Sequence, residues 1–352
     1  MKKVNVLGKY DIAIGERLIE RAGMAIKRVC KGKRCCIVSD SNVAPLYAEA
    51  VLDSLRQSGF EPSLFVFEQG EKSKNLSTIT QMLNFFAQQE LTRSDFVVAL
   101  GGGVVGDLTG FAAAIYLRGI QFVQIPTTLL AQIDSSVGGK TGCDLENGKN
   151  LVGAFHHPAL VLIDTGVLST LPDEYMKDGM GELIKYGAIK SPEIFEILEK
   201  ETCFARLDEL IYKCVCIKAE IVEKDFTEQG DRALLNFGHT VGHAIEKIEN
   251  FCGISHGSAV AIGMCVITRA AERVELCHTG NAARIEALCK KYGLPTEYNA
   301  SAEEIAKAAL NDKKRSGNVL RMVLIRKIGD SYICPVDCNK FDRFLEGSIK
   351  SV

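Results

Sequence analysis

The order of apolar and amphipathic segments in the first half of the chain most limits the fold. Short apolar runs, the length of buried strands, lie at 35–39, 64–67, 96–100, 121–125 and 160–164. Amphipathic stretches at about 43–58 and 75–90 separate the first three runs. Strands that alternate with helices are typical of a parallel sheet covered by helices. The pattern therefore predicts an α/β domain of Rossmann-like type.

The pattern changes near residue 170. Helix-period segments follow at about 174–190, 203–225, 231–250, 258–277 and 281–291, and a hairpin is predicted at 320–336. No internal repeat or low-complexity linker is present. We therefore expect an N-terminal α/β domain over 1–170 and a mainly α-helical domain over 171–352. The cleft between them is the expected ligand site.

Charge and cysteine content narrow the classes of function. The 352-residue chain has a net charge of −2, which gives no electrostatic reason to expect nucleic acid or an anionic membrane as a partner. An anionic ligand would need a local cluster of basic side chains. No apolar run approaches the ~18 residues of a membrane span, and no signal-peptide pattern follows the first residues. The 13 cysteines are expected to be reduced core thiols in a cytoplasm.

Two glycine-rich segments suggest phosphate binding. Residues 101–107 (GGGVVGD) satisfy G-x-G-x-x-G between a predicted strand and a predicted helix, a turn that lets backbone amides approach a pyrophosphate. The alternative is a tight strand-to-helix turn. Residues 138–141 (GGKT) resemble the end of a P-loop, but the earlier glycine is missing because Asp134 stands there. A glycine-rich loop with Lys140, Lys149 and Asn150 remains, either a phosphate site or a solvated basic loop.

Three segments of the second half carry groups that could bind a metal. His239 and His243 are four apart, which places both imidazoles on one face of a helix. Glu182 lies in an apolar predicted helix with Lys185 three positions later, and a buried carboxylate needs a partner or a metal. His256 opens another apolar helix. Glu182, His239 and His256 together would form a two-histidine, one-carboxylate zinc site, whereas separately each has an ordinary structural explanation.

Seven segments make the chain resemble the 3-dehydroquinate synthase family over almost its whole length. They are GEKSKN (70–75), GGGVVGDLTGF (101–111), PTTLLAQIDSSVGGKTG (126–142), GKNLVGAF (148–155), GELIKYG (181–187), LNFGHTVGHAIE (235–246) and HGSAVAIGM (256–264). The wider superfamily of glycerol dehydrogenase and related metal-dependent alcohol dehydrogenases shares the architecture but not this set.

The resemblance implies NAD, one divalent metal (zinc or cobalt) and a homodimer. Implied NAD contacts are Asp40, Asn42, Glu71, Lys74, Gly102, Gly103, Val104, Asp107, Thr127, Thr128, Lys140, Lys149, Val167, Leu168, Ser169 and Thr170. Implied metal ligands are Glu182, His239 and His256. Implied substrate contacts are Asp134, Lys140, Asn150, Lys185, Lys218, Arg232, Asn236, His243 and Lys313 or Lys314. Arg118 matches an arginine that the family supplies to the partner subunit's site.

The implied reaction converts 3-deoxy-D-arabino-heptulosonate 7-phosphate to 3-dehydroquinate and phosphate. It combines transient oxidation by NAD, phosphate elimination, re-reduction and an intramolecular aldol closure, without net redox change. The chain departs from the usual family residues at Cys143-Asp144, Gly181 and Ser258. The last two stand beside metal ligands and could alter metal affinity. Asp144 places a negative charge near Lys149 and could weaken cofactor binding.

Three other functions stay open. One is a sugar-phosphate cyclase of the aminocyclitol or amino-dehydroquinate type. Lys218, Arg232 and Asn236 favour an acid substrate over a sugar phosphate that lacks a carboxylate. Another is a metal-dependent polyol dehydrogenase, which would accumulate NADH. The last is a non-catalytic nucleotide sensor, which the presence of every expected ligand and base disfavours.

Overall fold

The five predicted apolar runs form neighbouring strands of one sheet. The computed structural model describes residues 1–201, 203–226, 230–310 and 318–349. The strands are β1 (Lys2–Val6), β2 (Tyr10–Gly15), β3 (Arg34–Asp40), β4 (Glu61–Phe67), β5 (Phe96–Gly101), β6 (Gln121–Pro126), β7 (Lys140–Leu145), β8 (Gly148–Phe155), β9 (Leu160–Asp164), β10 (Val319–Lys327) and β11 (Asp330–Asp337).

The α-helices of the described residues are mostly in the second half. They are α1 (Ala22–Ile26), α2 (Ala44–Gln57), α3 (Leu76–Gln88), α4 (Gly103–Ile115), α5 (Asp173–Ile189), α6 (Pro192–Lys200), α7 (Leu207–Lys224), α8 (His239–Ile248), α9 (His256–Arg273), α10 (Asn281–Lys291), α11 (Ala302–Leu310) and α12 (Phe341–Leu345). The part of the chain that the structure describes holds no helix long and apolar enough to cross a membrane.

The main sheet is almost entirely parallel, as predicted. Its strand order is β1-β2-β9-β6-β5-β3-β4, and only the β1–β2 pair is antiparallel. Strands β5 and β9 are buried along their whole length, as central strands covered on both faces must be. Edge strand β4 is partly exposed.

Side chains alternate between two apolar cores, one on each face of the sheet. In β3, Cys35 and Ile37 pack with α2, whereas Cys36 and Val38 pack with α3 and α4. Successive side chains of a strand point to opposite faces, so helices α2 and α4 cover opposite sides of the sheet.

Several elements differ from the expected ones. The glycine-rich segment expected as a loop at 138–150 lies mostly in the antiparallel β7–β8 hairpin, because Thr141–Cys143 pair with Val152–Ala154. The segment 231–250 is broken into a 3₁₀ helix (Asp231–Asn236) and α8, since Gly238 has φ 80° and interrupts the helix. The helices α6, α11 and α12 and the β1–β2 hairpin were not predicted. The 320–336 hairpin is confirmed.

The contacts divide the chain into two units. The first comprises Met1–Pro172 together with Cys214–Glu223 of helix α7, and the second comprises Asp173–Lys213 and Lys224–Val352. The first unit contains the seven-stranded sheet and the β7–β8 hairpin. The second is mainly helical, with the β10–β11 hairpin as its described sheet.

Candidate active site

The residues expected to bind NAD cluster where the parallel strands end. Asp40 ends β3, Glu71 begins a 3₁₀ turn after β4, and Gly102 and Gly103 follow β5. Thr127 and Thr128 follow β6, and the segment 167–170 lies in the 3₁₀ helix after β9. In open parallel sheets, ligands bind outside the carboxyl ends of the strands. The expected NAD residues therefore share the edge of the sheet at which a nucleotide would bind.

A topological switch point lies between β3 and β5. The chain leaves β3 through α2 on one face and leaves β5 through α4 on the other. Asp40 organises the turn after β3, because its Oδ1 accepts the backbone N–H groups of Asn42 and Val43 at 2.9 Å each. A crevice at such a point is the usual nucleotide site of doubly wound folds.

The glycine-rich turn after β5 has features of both a tight strand-to-helix turn and a phosphate-binding turn. Gly102 is the N-cap of α4, a helix of 13 residues whose first amides lack intrahelical acceptors. A Cβ added at Gly101 would lie 2.4 Å from a methyl carbon of Val105, and one at Gly106 would lie 2.9 Å from Gln124 Oε1. Close packing explains Gly101 and Gly106, and the half-buried N-terminus of α4 is the kind of helix start that binds phosphate.

Lys74 is the centre of a buried charge cluster in the first unit. Its Nζ lies 2.8 Å from Asp107 Oδ2 and donates a 2.6 Å hydrogen bond to Asn150 Oδ1. Burial opposes the charged amine, but Asp107 and Glu71 raise the pKa of Lys74. Burial raises the pKa of Asp107, although Lys74 opposes this effect. The buried polar groups of the cluster therefore hold one another in place at the edge of the sheet where a nucleotide would bind.

Asp144 is part of the same cluster. Its Oδ1 accepts the backbone N–H of Asn150 at 2.7 Å, and Asn150 has a left-handed φ of 55°. Burial raises the pKa of Asp144. Lys149 lies 3.7 Å from Glu71. Asp144 thus holds the β7–β8 turn in the shape that presents Asn150 to Lys74, and it adds negative charge there.

Lys218 and Asp134 form a second polar pair in the first unit. Lys218 is 6% exposed, and its Nζ lies 3.0 Å from Asp134 Oδ1 and 2.6 Å from the backbone oxygen of Asp134. Asp134 lies in a π-helical turn (Ala131–Ser135), an irregularity that is frequent at functional sites. Both residues were expected at the substrate site, and the fold brings them together although they are far apart in sequence.

In the second unit, Glu182 is a buried carboxylate with one ammonium group and two imidazole rings as neighbours. Its side chain is 1% exposed and forms an ion pair with Lys185, as the i, i+3 spacing on α5 predicts. His239 Nε2 lies 3.4 Å and His256 Nε2 lies 3.6 Å from Glu182 Oε1. Neither oxygen of Glu182 has a hydrogen-bond partner of good geometry among the described residues. A buried carboxylate is costly unless it is paired, and these neighbouring groups together with a bound cation would offset that cost.

Glu182, His239 and His256 fit a divalent metal. One ligand atom from each lies within 4.8 Å of the others. Two ligands of a tetrahedral ion with bonds of about 2.1 Å are separated by about 3.4 Å, close to the observed spacings. The set of two imidazoles and one carboxylate suits zinc or cobalt. The three side chains therefore have the types and spacing that a divalent metal requires, and three protein ligands is the usual number at catalytic zinc sites.

Close helix contacts bring the three groups together. A Cβ at Gly181 would lie 2.5 Å from the Gly257 oxygen, and one at Gly263 would lie 2.0 Å from the Gly238 oxygen. A side chain at either position would require these backbone segments to move apart, so glycine permits the close approach of α5 and α8 to α9. The Asp178 carboxylate also accepts the backbone N–H of Gly257, which fixes the first turn of α9 beside His256.

The surroundings give the two histidines different proton affinities. Burial, reinforced by the Lys185 ammonium, lowers the pKa of His239 to about 3. At His256 burial acts in the same direction, but the nearby carboxylates of Glu182 and Glu246 outweigh it and raise the pKa to about 10. Burial also opposes the charge on Glu182, yet Lys185 and the two imidazoles hold its pKa well below the usual value. His239 is therefore neutral and ready to bind a metal at neutral pH.

The other expected substrate residues lie in several places. His243 is on the same face of α8 as His239, with ring centroids 5.3 Å apart, and its side chain is 60% exposed. Arg232 is buried and donates from Nη1 to the Phe226 oxygen, and Asn236 ends the same 3₁₀ helix. Arg118 is exposed in the first unit. Lys313 and Lys314 lie outside the described residues.

Two carboxylates beside the metal set were not predicted. Glu246 Oε1 lies 3.4 Å from His256 Nδ1, and Asp178 holds the start of α9. Glu246 was visible in the sequence only as the residue seven positions after His239, about two turns along the same helix face.

Comparison with known proteins decides the family. Residues 64–178 match the family model described as 3-dehydroquinate synthase N-terminal, and residues 179–315 match 3-dehydroquinate synthase C-terminal. A 3-dehydroquinate synthase of Clostridium perfringens is 51% identical over 329 residues, which is 92% of this chain and 94% of that protein. The chain belongs to the 3-dehydroquinate synthase family. A Streptococcus suis member is 43% identical over 96% of this chain and 97% of that protein.

Solved structures support the fold and the cofactors of the family. A 2-deoxy-scyllo-inosose synthase complexed with carbaglucose-6-phosphate, NAD+ and Co2+ superposes with a TM-score of 0.87, at 27% identity and 98% coverage of both chains. The 2-epi-5-epi-valiolone synthase of Streptomyces hygroscopicus, with NAD+ and Zn2+ bound, gives 0.86 at 28% identity, covering 99% of this chain and 98% of that one. A glycerol dehydrogenase of Schizosaccharomyces pombe, 17% identical with a TM-score of 0.67 and coverage of 96% and 88%, shares the fold alone.

Proposed function

We propose that this member of the family converts 3-deoxy-D-arabino-heptulosonate 7-phosphate to 3-dehydroquinate and phosphate. The observation that carries the proposal is the 43–51% identity to 3-dehydroquinate synthases over at least 92% of the chain. The intact Glu182, His239 and His256 set supports it. The substrate is a small sugar-acid phosphate of the shikimate pathway, and the enzyme is a carbon–oxygen lyase.

The two units have different tasks in this proposal. The division falls near residue 170, with NAD on the carboxyl edge of the sheet and the metal on α5, α8 and α9. A bound divalent ion supplies a Lewis acid for the substrate hydroxyls, and bound NAD supplies an oxidation that is later reversed. Asp40, the first turn of α4 and the Lys74 cluster orient the cofactor. Glu182, His239 and His256 hold the ion.

The remaining polar residues bind substrate and move protons. Lys218 in the first unit and Lys185 and Arg232 in the second supply positive charge that is held in place by burial and by neighbouring oxygens. These cations suit a substrate that carries both a carboxylate and a phosphate. The His243 side chain is 60% exposed on the same helix face as His239, and an imidazole at such a position is suited to hold a proton at Nε2.

The decisive assay follows phosphate release from the heptulosonate phosphate by the NAD- and zinc-loaded protein. We expect phosphate and 3-dehydroquinate in equal amounts, with no lasting absorbance at 340 nm. Turnover of glucose 6-phosphate or sedoheptulose 7-phosphate instead would make the chain a cyclase of the kind named in the solved structures. Net NADH formation with a polyol would make it a dehydrogenase.

The active assembly proposed here is a homodimer in which Arg118 reaches the partner's site. Leu117 and Arg118 have left-handed φ values of 48° and 68°, a strained pair at an exposed position. On β8, Leu151 and Phe155 lie on one face of the strand and are 59% and 49% exposed. An exposed apolar strand face and a strained, exposed arginine in the same unit support association with a second copy.

Mixed dimers test this arrangement. Arg118→Ala and His239→Ala should each be inactive, and dimers with one chain of each variant should regain activity at one of their two sites. Sedimentation of the wild type should give the mass of two chains. A monomeric active enzyme, or mixed dimers without activity, would contradict the shared site. Finally, we propose a cytoplasmic location, which the free buried cysteines of the described residues support.

A further inference from the structure

The two histidines of the metal set differ in what lies behind them. Each turns Nε2 toward Glu182, at 3.4 Å for His239 and 3.6 Å for His256. His239 Nδ1 lies 3.1 Å from the backbone oxygen of Phe237, whereas His256 Nδ1 lies 3.4 Å from Oε1 of Glu246. One imidazole is therefore backed by a neutral carbonyl and the other by a carboxylate.

Glu246 is placed for this contact by helix α8. His239, His243 and Glu246 are at positions i, i+4 and i+7, so their side chains share one face of the helix. That face meets α9 at very short range, since a Cβ at Gly242 would lie 3.1 Å from backbone atoms of Ala259. The Glu246 side chain is 4% exposed and reaches the ring of His256 from the side opposite to Glu182.

We propose that Glu246 is a positioning residue for the metal ligand His256. Its carboxylate accepts a hydrogen bond from Nδ1–H of His256, fixes the tautomer that leaves Nε2 free for the metal, and holds the ring in the ligating orientation. A carboxylate behind a ligand imidazole also makes the imidazole a stronger donor to the metal. The proposal rests on the proposed metal site and adds a fourth protein group to it.

The second carboxylate oxygen of Glu246 lies near another histidine, His243. Its Oε2 lies 3.9 Å from His243 Nε2. One buried carboxylate thus stands between a metal ligand and the histidine proposed to hold a proton. His243, Glu246 and His256 could also hold a cation by themselves, because their ligand atoms lie within 4.8 Å of one another. This second arrangement would require both ring nitrogens of His256 to bind metal, which is why hydrogen bonding by Glu246 is the better assignment.

The experiment measures zinc affinity by chelator competition in the full-length protein with NAD present. Glu246→Gln keeps the shape of the side chain but removes its charge, and Glu246→Asp keeps the charge on a shorter side chain. Removing such a carboxylate typically lowers metal affinity by about 10–100-fold. We expect a loss in this range for Glu246→Gln, a smaller loss for Glu246→Asp, and an altered visible spectrum of the cobalt form.

Glu286→Gln is the matched control. Glu286 is a partly buried helical carboxylate of the same unit that pairs with Arg269, and its side chain is 14% exposed. Its substitution should lower the melting temperature without changing the zinc affinity or the cobalt spectrum. Equal zinc affinity in the wild type, Glu246→Gln and Glu286→Gln would overturn the positioning role.

Two further measurements on the wild type test the role of Glu246 even if the variants fold poorly. Nitrogen-15 spectra of the zinc-loaded wild type should show His256 protonated at Nδ1, and a deprotonated Nδ1 would overturn the proposal. The wild type should bind one zinc per chain, and a second equivalent that is lost in Glu246→Gln would make Glu246 a direct ligand. Failure of the wild type to bind zinc would instead refute the proposed function itself.

Discussion

Replacing Gly181 by alanine should disturb the metal centre without touching a ligand. Gly181 lies on α5 directly before Glu182, and it faces Gly257 on α9, the residue after His256. An added Cβ would lie 2.5 Å from the Gly257 oxygen and 2.9 Å from its carbonyl carbon and Cα. These are backbone atoms, which cannot rotate away. The methyl group must therefore push apart the two helices that carry Glu182 and His256.

The size of the effect follows from two opposing contributions. Alanine gains about 1 kcal/mol over glycine inside a helix, whereas overpacking a buried contact costs about 1–3 kcal/mol. A net loss of about 1 kcal/mol lowers the melting temperature of a unit of this size by about 2–4 °C. The backbone must retreat by roughly 0.8 Å to reach a carbon–oxygen contact of about 3.3 Å. Metal sites tolerate shifts of only about 0.2 Å, so we expect at least a tenfold loss of zinc affinity.

The assay compares zinc affinity and melting temperature in Gly181→Ala, Gly187→Ala and the wild type. Gly187 is a buried glycine on the same helix, and a Cβ there would meet Phe195 atoms at 3.1–3.2 Å, away from the ligands. Gly187→Ala has the same gain in helix propensity and should keep its zinc affinity. If Gly181→Ala binds zinc as tightly as the wild type, the close contact with Gly257 does not control the ligand spacing, and the reasoning is wrong.

Three further predictions follow from single contacts. His239→Ala should lose its zinc, whereas His243→Ala should keep it and lose turnover; equal zinc loss, measured by metal analysis, would contradict this division. Asp144→Asn keeps an acceptor for the turn but removes a negative charge, so titration should show NAD binding tightened several-fold at an unchanged melting temperature. Asp95, which is 4% exposed, accepts the N–H groups of residues 33, 34 and 92. Burial opposes the charge, but these bonds lower the pKa of Asp95, so its stabilisation is present above about pH 4 and is lost as the pH falls through the lowered pKa. Asp95→Asn should therefore melt at a lower temperature than the wild type from pH 8 to 5, because its free energy of unfolding is lower by about 2 kcal/mol. The difference in melting temperature should shrink below about pH 4.

Local sequence pattern predicted the strands of the main sheet well. Each of the five apolar runs is a strand. Four of them lie inside the sheet, where a strand covered on both faces needs a continuous apolar run. The pattern failed where glycine and polar residues dominate. The hairpin β7–β8 was expected as a loop, since its pairing depends on contacts with α4 and on Asp144 rather than on apolar alternation.

The metal set could be named from residue types, but its geometry could not. Glu182, His239 and His256 stood out as a buried acid and two histidines in apolar surroundings. Their spacing arises from the glycine contacts of α5 and α8 with α9, and nothing in the spacing along the chain predicts it. The same holds for Glu246, which resembled an ordinary charged residue of an amphipathic helix until the tertiary structure placed it behind His256.

The sequence by itself determined the alternation of strands and helices, the glycine-rich turn after β5, and the metal-binding and basic side chains that are available. These follow from periodicity, chain flexibility and side-chain type, which are local properties. The tertiary structure alone decided which polar groups meet. Lys218 of α7 meets Asp134, which is far from it in sequence. Glu246 lies behind His256 because α8 and α9 pack at a distance that small residues permit. Packing of that kind depends on the shapes of both surfaces together, and a single segment does not contain it.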